Sequence, residues 1–251
     1  MREILGRRRR LRRRARPAQL DAALICATAW QWPVVPGVGT AAGDGRGGRD
    51  GRDRGCACAD PECAVPGAHP FDPGLLAATT DERMVRWWWT NRPTAPIVLA
   101  TGGRAPCALS LPAVAAARAL VELDRMGTRL GPVVATPTRW SLLVAPYTLE
   151  RLGELLYVQD RVPSSLRFHG EGGYLVLPPS ATGTGQVRWE RAPGPLPGTN
   201  GRRSGHEAGT GGRGGDTTGA AVPWLPDVET VLDALVEASN GAPDGGSRLA
   251  Y

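Results

Sequence analysis

The sequence contains no lysine, and it has only three histidines, two phenylalanines and five cysteines among 251 residues. It also lacks any apolar run close to the ~20 residues that a membrane-spanning helix needs, and it has no internal repeat. These absences exclude a protein with helical membrane spans and a repeat array. All 30 basic residues are arginine, which together with the abundant glycine, alanine and proline indicates a GC-rich coding genome rather than selection for phosphate recognition.

The basic charge is concentrated at the N-terminus. Residues 1–16 contain nine arginines and one glutamate, so the rest of a chain of net charge +6 is slightly acidic. This segment is either a solvated, disordered end or an arm attracted to nucleic acid or anionic surfaces. The candidate nucleic-acid contacts are Arg7, Arg8, Arg9, Arg10, Arg12, Arg13 and Arg14. No clean apolar stretch follows them, so we expect no secretory signal and a bacterial cytoplasmic protein.

Glycine (34) and proline (23) make up more than a fifth of the chain, against a usual share of about 12%. This excess predicts a folded core smaller than the length suggests. We expect a single folded domain with flexible segments around it. Along the chain we predict a basic disordered arm (1–17), the domain (18–180) with a flexible loop (37–55), a flexible insertion (181–222), a C-terminal helix packed on the domain (223–240) and a disordered tail (241–251).

Hydrophobic periodicity predicts an α+β domain. Helices are expected at residues 18–30, from a Thr79–Glu82 capping box to Pro93, from Pro112 to Met126, at 149–158, and at 224–238 with the apolar stripe Val228, Val231, Leu232, Leu235 and Val236. Strands are expected at residues 32–36, 97–100, 107–111, 133–135 and 141–145, followed by a hairpin of 166–168 and 174–177 across the glycine-rich segment 170–173.

Three cysteines and a histidine form the strongest chemical signal in the chain. Cys56, Cys58 and Cys63 are followed by His69 in a loop that contains several prolines and glycines. Three thiolates and one imidazole can supply the four ligands of a tetrahedral structural zinc. The alternatives are disulfides, which a reducing cytoplasm disfavours, and a chance cluster. Cys26 and Cys107 lie in apolar stretches and are expected to be core residues.

These residues belong to a series of motifs that resembles a known family. In chain order the motifs are Trp30 with Pro33 and Pro36, Cys56-Ala57-Cys58 with Cys63, Pro66-Gly67-Ala68-His69-Pro70, Ala78-Thr79-Thr80-Asp81, Trp87-Trp88 with Pro93, and His169 to Val176 with Pro178-Pro179-Ser180. Over roughly Leu20 to Ser180 the sequence resembles the N-terminal Prim-Pol domain of bifunctional DNA primase/polymerases. The resemblance implies a single archaeo-eukaryotic primase-type domain with a mixed sheet and a small zinc loop at residues 56–70.

The resemblance also implies where catalytic groups should lie. Active members carry an acid-x-acid pair on a central strand, a third carboxylate on a later strand and a nearby histidine, because nucleotidyl transfer needs divalent cations held by carboxylates. In this sequence the pair falls on Ser110 and Pro112, the third acid on or near Arg167, and the histidine near Ser141. We therefore expect no catalytic residues and no Mg²⁺ or Mn²⁺ at these positions.

Other residues of the domain are candidates for a rebuilt metal site or for contacts with nucleic acid. The acids between Pro96 and Ser180 are Glu122, Asp124, Glu150, Glu154, Asp160 and Glu171. Glu122 and Asp124 are two positions apart on a predicted helix and cannot point at one metal. Glu150 and Glu154 share a helix face, which is more typical of a solvated surface, and Glu171 lies in the predicted turn. His169 is either a structural hydrogen-bonding residue or a contact for a phosphate or a base. Trp87, Trp88 and Trp89 point in three directions on a helix, which favours packing over base stacking.

The sequence thus predicts a Prim-Pol-like protein that is catalytically inactive and has a nucleic-acid-associated or regulatory role in replication. Its expected cofactor is structural zinc, and its expected partners are nucleic acid through the arm or another protein. One alternative is an active DNA primase/polymerase with relocated acids. A second is a zinc-stabilised protein-interaction module without nucleic-acid binding, which the slightly acidic body favours.

Overall fold

The structure is a computed structural model that describes residues 18–41, 55–194 and 222–240. The arginine-rich arm, most of the loop at 37–55, most of the insertion at 181–222 and the tail at 241–251 lie outside the described residues. The helices are α1 Ala18–Leu24, α2 Glu82–Asn91, α3 Ala113–Arg125, α4 Leu149–Tyr157 and α5 Val228–Asn240. The strands are β1 Val34–Gly39, β2 Gly67–Pro70, β3 Ile97–Ala100, β4 Cys107–Pro112, β5 Val133–Ala135, β6 Arg139–Val144, β7 Arg167–His169, β8 Tyr174–Leu177, β9 Ser180–Thr182 and β10 Gly185–Arg191.

The first predicted helix is confirmed, although its second half has π-helical rather than α-helical hydrogen bonding. After α1 the chain continues as a π-helix over Ile25–Ala29. Cys26 and Ala27 of that segment are buried, as is Trp32 just before β1. Burial raises the pKa of the Cys26 thiol to about 12, as expected for an inert core cysteine. Cys107 is buried too, so both cysteines predicted to be core residues are confirmed as such.

The strands form two sheets. One has four strands in the order β2-β1-β3-β8, and the other has six in the order β7-β4-β6-β5-β10-β9. The α+β class is confirmed, but the expected mixed sheet is wrong, because every strand pairing between described residues is antiparallel. Helix α3 does join two strands that run in the same direction, β4 and β5. The strand β6 lies between them, so they do not pair.

The six-stranded sheet separates two hydrophobic clusters. On one face, Leu109 and Leu111 of β4 pack with apolar residues of α3, α4 and α5. The C-terminal helix contributes its whole predicted stripe to this cluster, namely Val228, Val231, Leu232, Leu235 and Val236. On the other face, Ala108 of β4 and Leu143 of β6 pack with α1, α2 and the four-stranded sheet. Residue Ser110, which alternates with Leu109 and Leu111, therefore faces away from α3 and α5.

The predicted hairpin of residues 166–177 is wrong. Both strands exist, but β7 pairs with β4 in one sheet and β8 pairs with β3 in the other. The glycine-rich segment between them crosses from sheet to sheet and is held by Thr101, whose hydroxyl donates to the Gly170 carbonyl (2.6 Å) and whose N–H donates to the Gly173 carbonyl (3.0 Å). Gly102 lies against this segment with φ +91°, and a Cβ there would stand 2.4 Å from Cα of Glu171.

Two predicted flexible segments begin with regular structure. The domain does not end at residue 180, because β9 and β10 form an antiparallel hairpin and β10 also pairs with β5. Polar residues alternate with Val187 and Trp189 along β10, so the strand buries only one face. Its sequence is therefore polar enough to resemble a flexible segment. The loop at 37–55 is likewise a strand at its start, since β1 runs to Gly39 and Thr40 bridges to Cys56.

Candidate metal centre and the strand cluster

The zinc loop (residues 56–70) is fixed to the four-stranded sheet at both of its ends. Cys56 bridges to Thr40 at the end of β1, and β2, which carries His69, pairs with β1. The Gly67 turn has φ +71°, a conformation that favours glycine, and a Cβ there would lie 2.9 Å from the Thr40 side chain. The backbone therefore brings the first cysteine and the histidine face to face on adjacent strand ends.

All four predicted ligands converge. The sulfurs of Cys56, Cys58 and Cys63 and a ring nitrogen of His69 lie within 4.8 Å of one another. Cys56 Sγ is 3.3 Å from His69 Nε2. A tetrahedral zinc with Zn–S bonds of about 2.3 Å holds its ligand atoms roughly 3.8 Å apart, so a small contraction of the loop suffices. The cluster can hold a metal ion such as zinc.

The surroundings of the ligands support the same chemistry. His69 Nδ1 lies 3.0 Å from the Pro70 carbonyl, a contact that leaves Nε2 directed at the sulfurs. The N–H of Gly67 donates to Cys56 Sγ at 3.2 Å. Such a bond stabilises a thiolate, the form of cysteine that binds metal.

The thiol pKa values are shifted in opposite directions within the loop. Burial raises the pKa of Cys56, but hydrogen bonds from the N–H groups of Gly67 and Cys58 and from nearby side chains outweigh it and bring the pKa to about 6. Burial together with the two neighbouring sulfurs raises the pKa of Cys63 to about 11, against a hydrogen bond from Val65. Thiolates crowded together repel each other, and a bound cation removes that repulsion.

The positions implied for the catalytic groups also lie together. Ser110 of β4 pairs in register with Ser141 of β6 on one side and with Arg167 of β7 on the other. Register partners share a sheet face, so these three side chains project from adjacent strands on the face away from α3. Pro112 ends β4, where it pairs in register with Arg139, and it is also the N-cap of α3.

Two further residues complete what we call the strand cluster: Ser110, Arg139, Ser141, Arg167 and His169. His169 Nε2 lies 3.0 Å from Ser110 Oγ. Arg139 Nη2 donates to the carbonyls of Ser110 and Ser165, both at 2.8 Å, and approaches Ser110 Oγ at 3.3 Å. The half-buried Arg139 was missed at the sequence level. Its signal was the period-two alternation that places it on the same face as Ser141.

The strand cluster carries positive charge without a carboxylate. Neither Arg139 nor Arg167 forms an ion pair with any acid in the described part of the chain. Burial lowers the pKa of Arg139 to about 10, and the charge of Arg167 adds to the effect. Burial also lowers the pKa of His169, as do both arginines, while a backbone hydrogen bond to Tyr174 acts in the opposite direction.

Four of the other acids lie on the far side of the six-stranded sheet from the strand cluster. Glu122 and Asp124 are on α3, and Glu150 and Glu154 are on α4, two helices that pack on the opposite face of the six-stranded sheet. Three of them pair with arginines on the exposed surface: Glu122 with Arg125, Asp124 with Arg191, and Glu154 with Arg151. Asp160 and Glu171 are exposed.

The tryptophan run behaves as predicted for consecutive helical positions. Trp89 is fully buried and its indole N–H donates to the Ala95 carbonyl at 3.0 Å, and Trp88 is buried beside it. Trp87 is 60% exposed. Two of the three rings therefore belong to the core, which leaves one on the surface.

A family model for the N-terminal domain of bifunctional DNA primase/polymerases matches residues 23–199. The chain belongs to this Prim-Pol family. The match takes in the zinc loop, the strand cluster and the hairpin of β9 and β10, so the resemblance noted at the sequence level is confirmed and extends past its expected end. Membership of the family suggests interaction with nucleic acid. Comparisons with curated proteins and with solved structures gave no match.

No helix within residues 18–41, 55–194 or 222–240 of this Prim-Pol protein is both long enough and apolar enough to cross a membrane.

Proposed function

We propose that this Prim-Pol domain is catalytically inactive and serves a nucleic-acid-associated or regulatory role in replication. The observation that carries the proposal is the composition of the strand cluster. Of the three register-paired positions, the two where the resemblance implies carboxylates hold the Ser110 hydroxyl and the Arg167 guanidinium, and the one where it implies a histidine holds the Ser141 hydroxyl. Phosphodiester formation needs cations that bridge the attacking and leaving oxygens, and neighbouring arginines repel such cations.

Relocated acids are a weaker explanation. A two-metal centre requires several carboxylates that converge on two cations about 4 Å apart. The acids of α3 and α4 lie on the opposite face of the sheet, and three of them, Glu122, Asp124 and Glu154, are paired with arginines. We therefore assign no catalytic residue and expect no Mg²⁺ or Mn²⁺ bound at Ser110 or Pro112.

In this proposal zinc has a structural role. Its ligands are Cys56, Cys58, Cys63 and His69, a closed set that leaves no position open for a substrate. Metal bound there adds its binding free energy to that of folding, because the unfolded loop offers no preformed site. The loop then maintains the edge of the four-stranded sheet.

Nucleic acid is held in this proposal by the arginines of the N-terminal arm, and the interaction is electrostatic. The expected contacts are Arg7, Arg8, Arg9, Arg10, Arg12, Arg13 and Arg14. Each arginine that neutralises a phosphate of duplex DNA makes the slope of log affinity against log salt concentration more negative by about 0.9. His169 is proposed as an additional nucleotide contact at the strand cluster.

Primer synthesis and extension assays with Mn²⁺ and labelled nucleotides test the inactivity. We expect no product above that of a buffer control. Product that persists through repurification and disappears in the Glu150→Gln or Glu171→Gln variant would support an active enzyme instead and contradict the proposal.

Affinity for DNA at several salt concentrations tests the role of the arm. The full chain is compared with a variant that has the seven arm arginines replaced by glutamine. We expect steep salt dependence in the wild type and a nearly flat, weak response in the variant. If neither protein binds DNA at modest salt and a protein partner is recovered by both, the interaction-module alternative replaces this part of the proposal.

A further inference from the structure

We propose that the N-terminal arm docks on its own domain, in a groove beside the zinc loop, and that DNA must displace it from there. The docking depends only on the chemistry of the groove and of the arm. The competition with DNA rests on the proposed function, in which the arginines of the arm hold nucleic acid. The groove would then regulate that interaction.

The groove is formed by the zinc loop and by the segment that crosses from β7 to β8. It has a volume of about 700 Å³ and is open to solvent. Two of the candidate metal ligands, Cys58 and Cys63, contribute to its lining, and so does Tyr174 at the start of β8. A metal ion that holds the loop in place would therefore also maintain the shape of the groove.

Much of the remaining lining is apolar and accessible to water. Val65 is 42% exposed and Phe71 is 61% exposed, and Leu75 is half-buried beside them in the same groove. Apolar side chains that are gathered in a concave surface and left in contact with water mark a site where another group binds.

Three carboxylates lie in or next to this lining. Asp60 lines the groove, Glu62 follows it in the loop, and Glu171 directly precedes the lining residue Gly172. All three acids are exposed, and none of them forms an ion pair with an arginine in the described part of the chain. The groove therefore suits a ligand that has both apolar side chains and positive charge.

The N-terminal arm has this composition. Ile4 and Leu5 directly precede Gly6 and the run of four arginines at residues 7–10. The arm as a whole carries nine arginines and one glutamate. In the docked state Ile4 and Leu5 cover the apolar lining, and the arginines that follow lie beside the carboxylates.

The arm is attached on the side of the domain where the groove lies. It joins α1 at Ala18, and α1 packs on the same hydrophobic cluster as Leu75 and Tyr174 of the groove. The segment from Leu5 to Ala18 can span about 45 Å when it is extended, which is about the diameter of a domain of this size. A tethered segment also has a high effective concentration, which favours docking within one chain over docking on a second copy.

A docked arm is not available to the phosphates of DNA. The apparent affinity for DNA is therefore reduced by the fraction of molecules in which the arm is free. A substitution that weakens docking should raise the affinity for DNA, although it adds no contact with DNA.

The first test is the initial rate at which trypsin cuts the full chain after Arg9 and Arg10, in buffer with zinc and without DNA, followed by intact-mass spectrometry. The arm variant is Ile4→Ser with Leu5→Ser. The groove variant is Phe71→Ala, which leaves the sequence of the arm unchanged. The control is Tyr157→Ala, because this aromatic residue is also exposed but lies on α4, which packs on the opposite face of the six-stranded sheet.

We expect the arm variant and the groove variant to be cut about tenfold faster than the wild type, and the control to be cut at the wild-type rate. Denaturant unfolding of Phe71→Ala should match the wild type, since the replaced side chain is exposed. Equal cleavage rates in all four proteins would overturn the proposal. Protection that increases with protein concentration would place the arm on a second copy and would overturn docking within one chain.

The second test compares DNA affinities of the same proteins. Phe71→Ala should bind DNA more tightly by the factor by which its cleavage is faster, because both quantities depend on the fraction of free arm, and Tyr157→Ala should bind as the wild type does. Faster cleavage with unchanged DNA affinity would overturn the competition. If replacing the arm arginines leaves DNA binding unaltered, the proposed role of the arm fails, and the trypsin result still decides the docking.

Discussion

The zinc loop and the strand cluster each gather four or five polar side chains at the edge of a sheet, but with opposite chemistry. In the loop, sulfur and nitrogen donors converge within 4.8 Å and share thiolate charge that a cation would neutralise. In the strand cluster, guanidinium groups flank two hydroxyls, and no described carboxylate pairs with them. One region is complementary to a metal ion, and the other repels one.

If the proposed inactivity is correct, the contrast means that this fold can retain one cation site and lose another. The geometry of the loop depends on backbone turns such as that at Gly67, whose conformation favours glycine and which also places β2 at the edge of the sheet. The strand cluster depends on side chains alone, which can be exchanged while the strand register stays the same. The backbone arrangement of a site and the type of its side chains can therefore vary independently, and the side chains determine which ion the site binds.

The largest expected effect follows from removing a metal ligand. Cys56→Ser and His69→Ala should each abolish stoichiometric zinc and lower the free energy of unfolding by about 3 kcal/mol or more, because structural zinc contributes directly to folding. Zinc content is measured by elemental analysis and stability by denaturant unfolding. Cys107→Ala is the control, since this buried cysteine lies outside the loop and its variant should retain zinc. Unchanged zinc in both ligand variants would refute the assignment.

The next effect concerns the segment that connects the two sheets. Gly102→Ala should destabilise the fold by roughly 2–4 kcal/mol, because the new Cβ meets the backbone of Glu171 and the φ of +91° is strained for alanine. Gly103→Ala is a matched control with φ +63° and open space around its Cβ, and it should cost only about 1 kcal/mol. Equal losses of stability in the two variants would show that the crossing segment adjusts freely.

A smaller effect is expected from pH. Burial and the cations Arg139 and Arg167 hold the pKa of His169 below its usual 6.5. Between the lowered pKa of the folded protein and 6.5, His169 therefore binds a proton in the unfolded chain but not in the folded one. Stability should therefore fall as the pH decreases through 6.5, with a slope of at most about 1.4 kcal/mol per pH unit. His169→Gln should reduce this loss between pH 7.5 and pH 5.5, measured by denaturant unfolding. A variant with the same pH profile as the wild type would show that His169 is not held neutral.

The smallest effect is expected at the centre of the strand cluster. Ser110→Ala removes the hydroxyl beside His169 and Arg139, but Arg139 keeps its bonds to two main-chain carbonyls. The expected loss is about 1 kcal/mol in the free energy of unfolding. Ser141→Ala serves as the comparison on the neighbouring strand. A loss several times larger at Ser110 would mean that its hydroxyl, rather than the carbonyls, positions the arginine.

Much of the local structure followed from the sequence because local physics decides it. The stripe of α5 and the buried pair Trp88 and Trp89 obey helical periodicity, and the cysteine spacing identified the converging ligands. The start of α2 was nearly right. Asp81 rather than Thr79 caps it, with Asp81 Oδ1 accepting from the Met84 N–H, and Thr79 instead accepts from the Asp81 N–H.

The errors concern pairing between distant segments, which local patterns do not encode. Strands β7 and β8 are adjacent in the chain and separated by glycines, so a hairpin was the natural expectation. The hydrogen bonds of Thr101 to Gly170 and Gly173 instead draw the connection across to the other sheet. Arg139 was missed for a similar reason, since its partners are carbonyls from two other parts of the chain.

The turn between β9 and β10 touches the metal loop, where the Gly183 N–H donates to the Pro66 carbonyl at 2.7 Å. The loop already belongs to the four-stranded sheet through β2, whereas this hairpin belongs to the six-stranded one. A metal ion bound by the three cysteines and the histidine would therefore also stabilise the second sheet, because a loop that is held in place restricts the motion of the β9–β10 hairpin bonded to it. Removal of the metal should increase local opening in residues that are distant from the loop in the chain. Faster amide hydrogen exchange along β9 would show this effect.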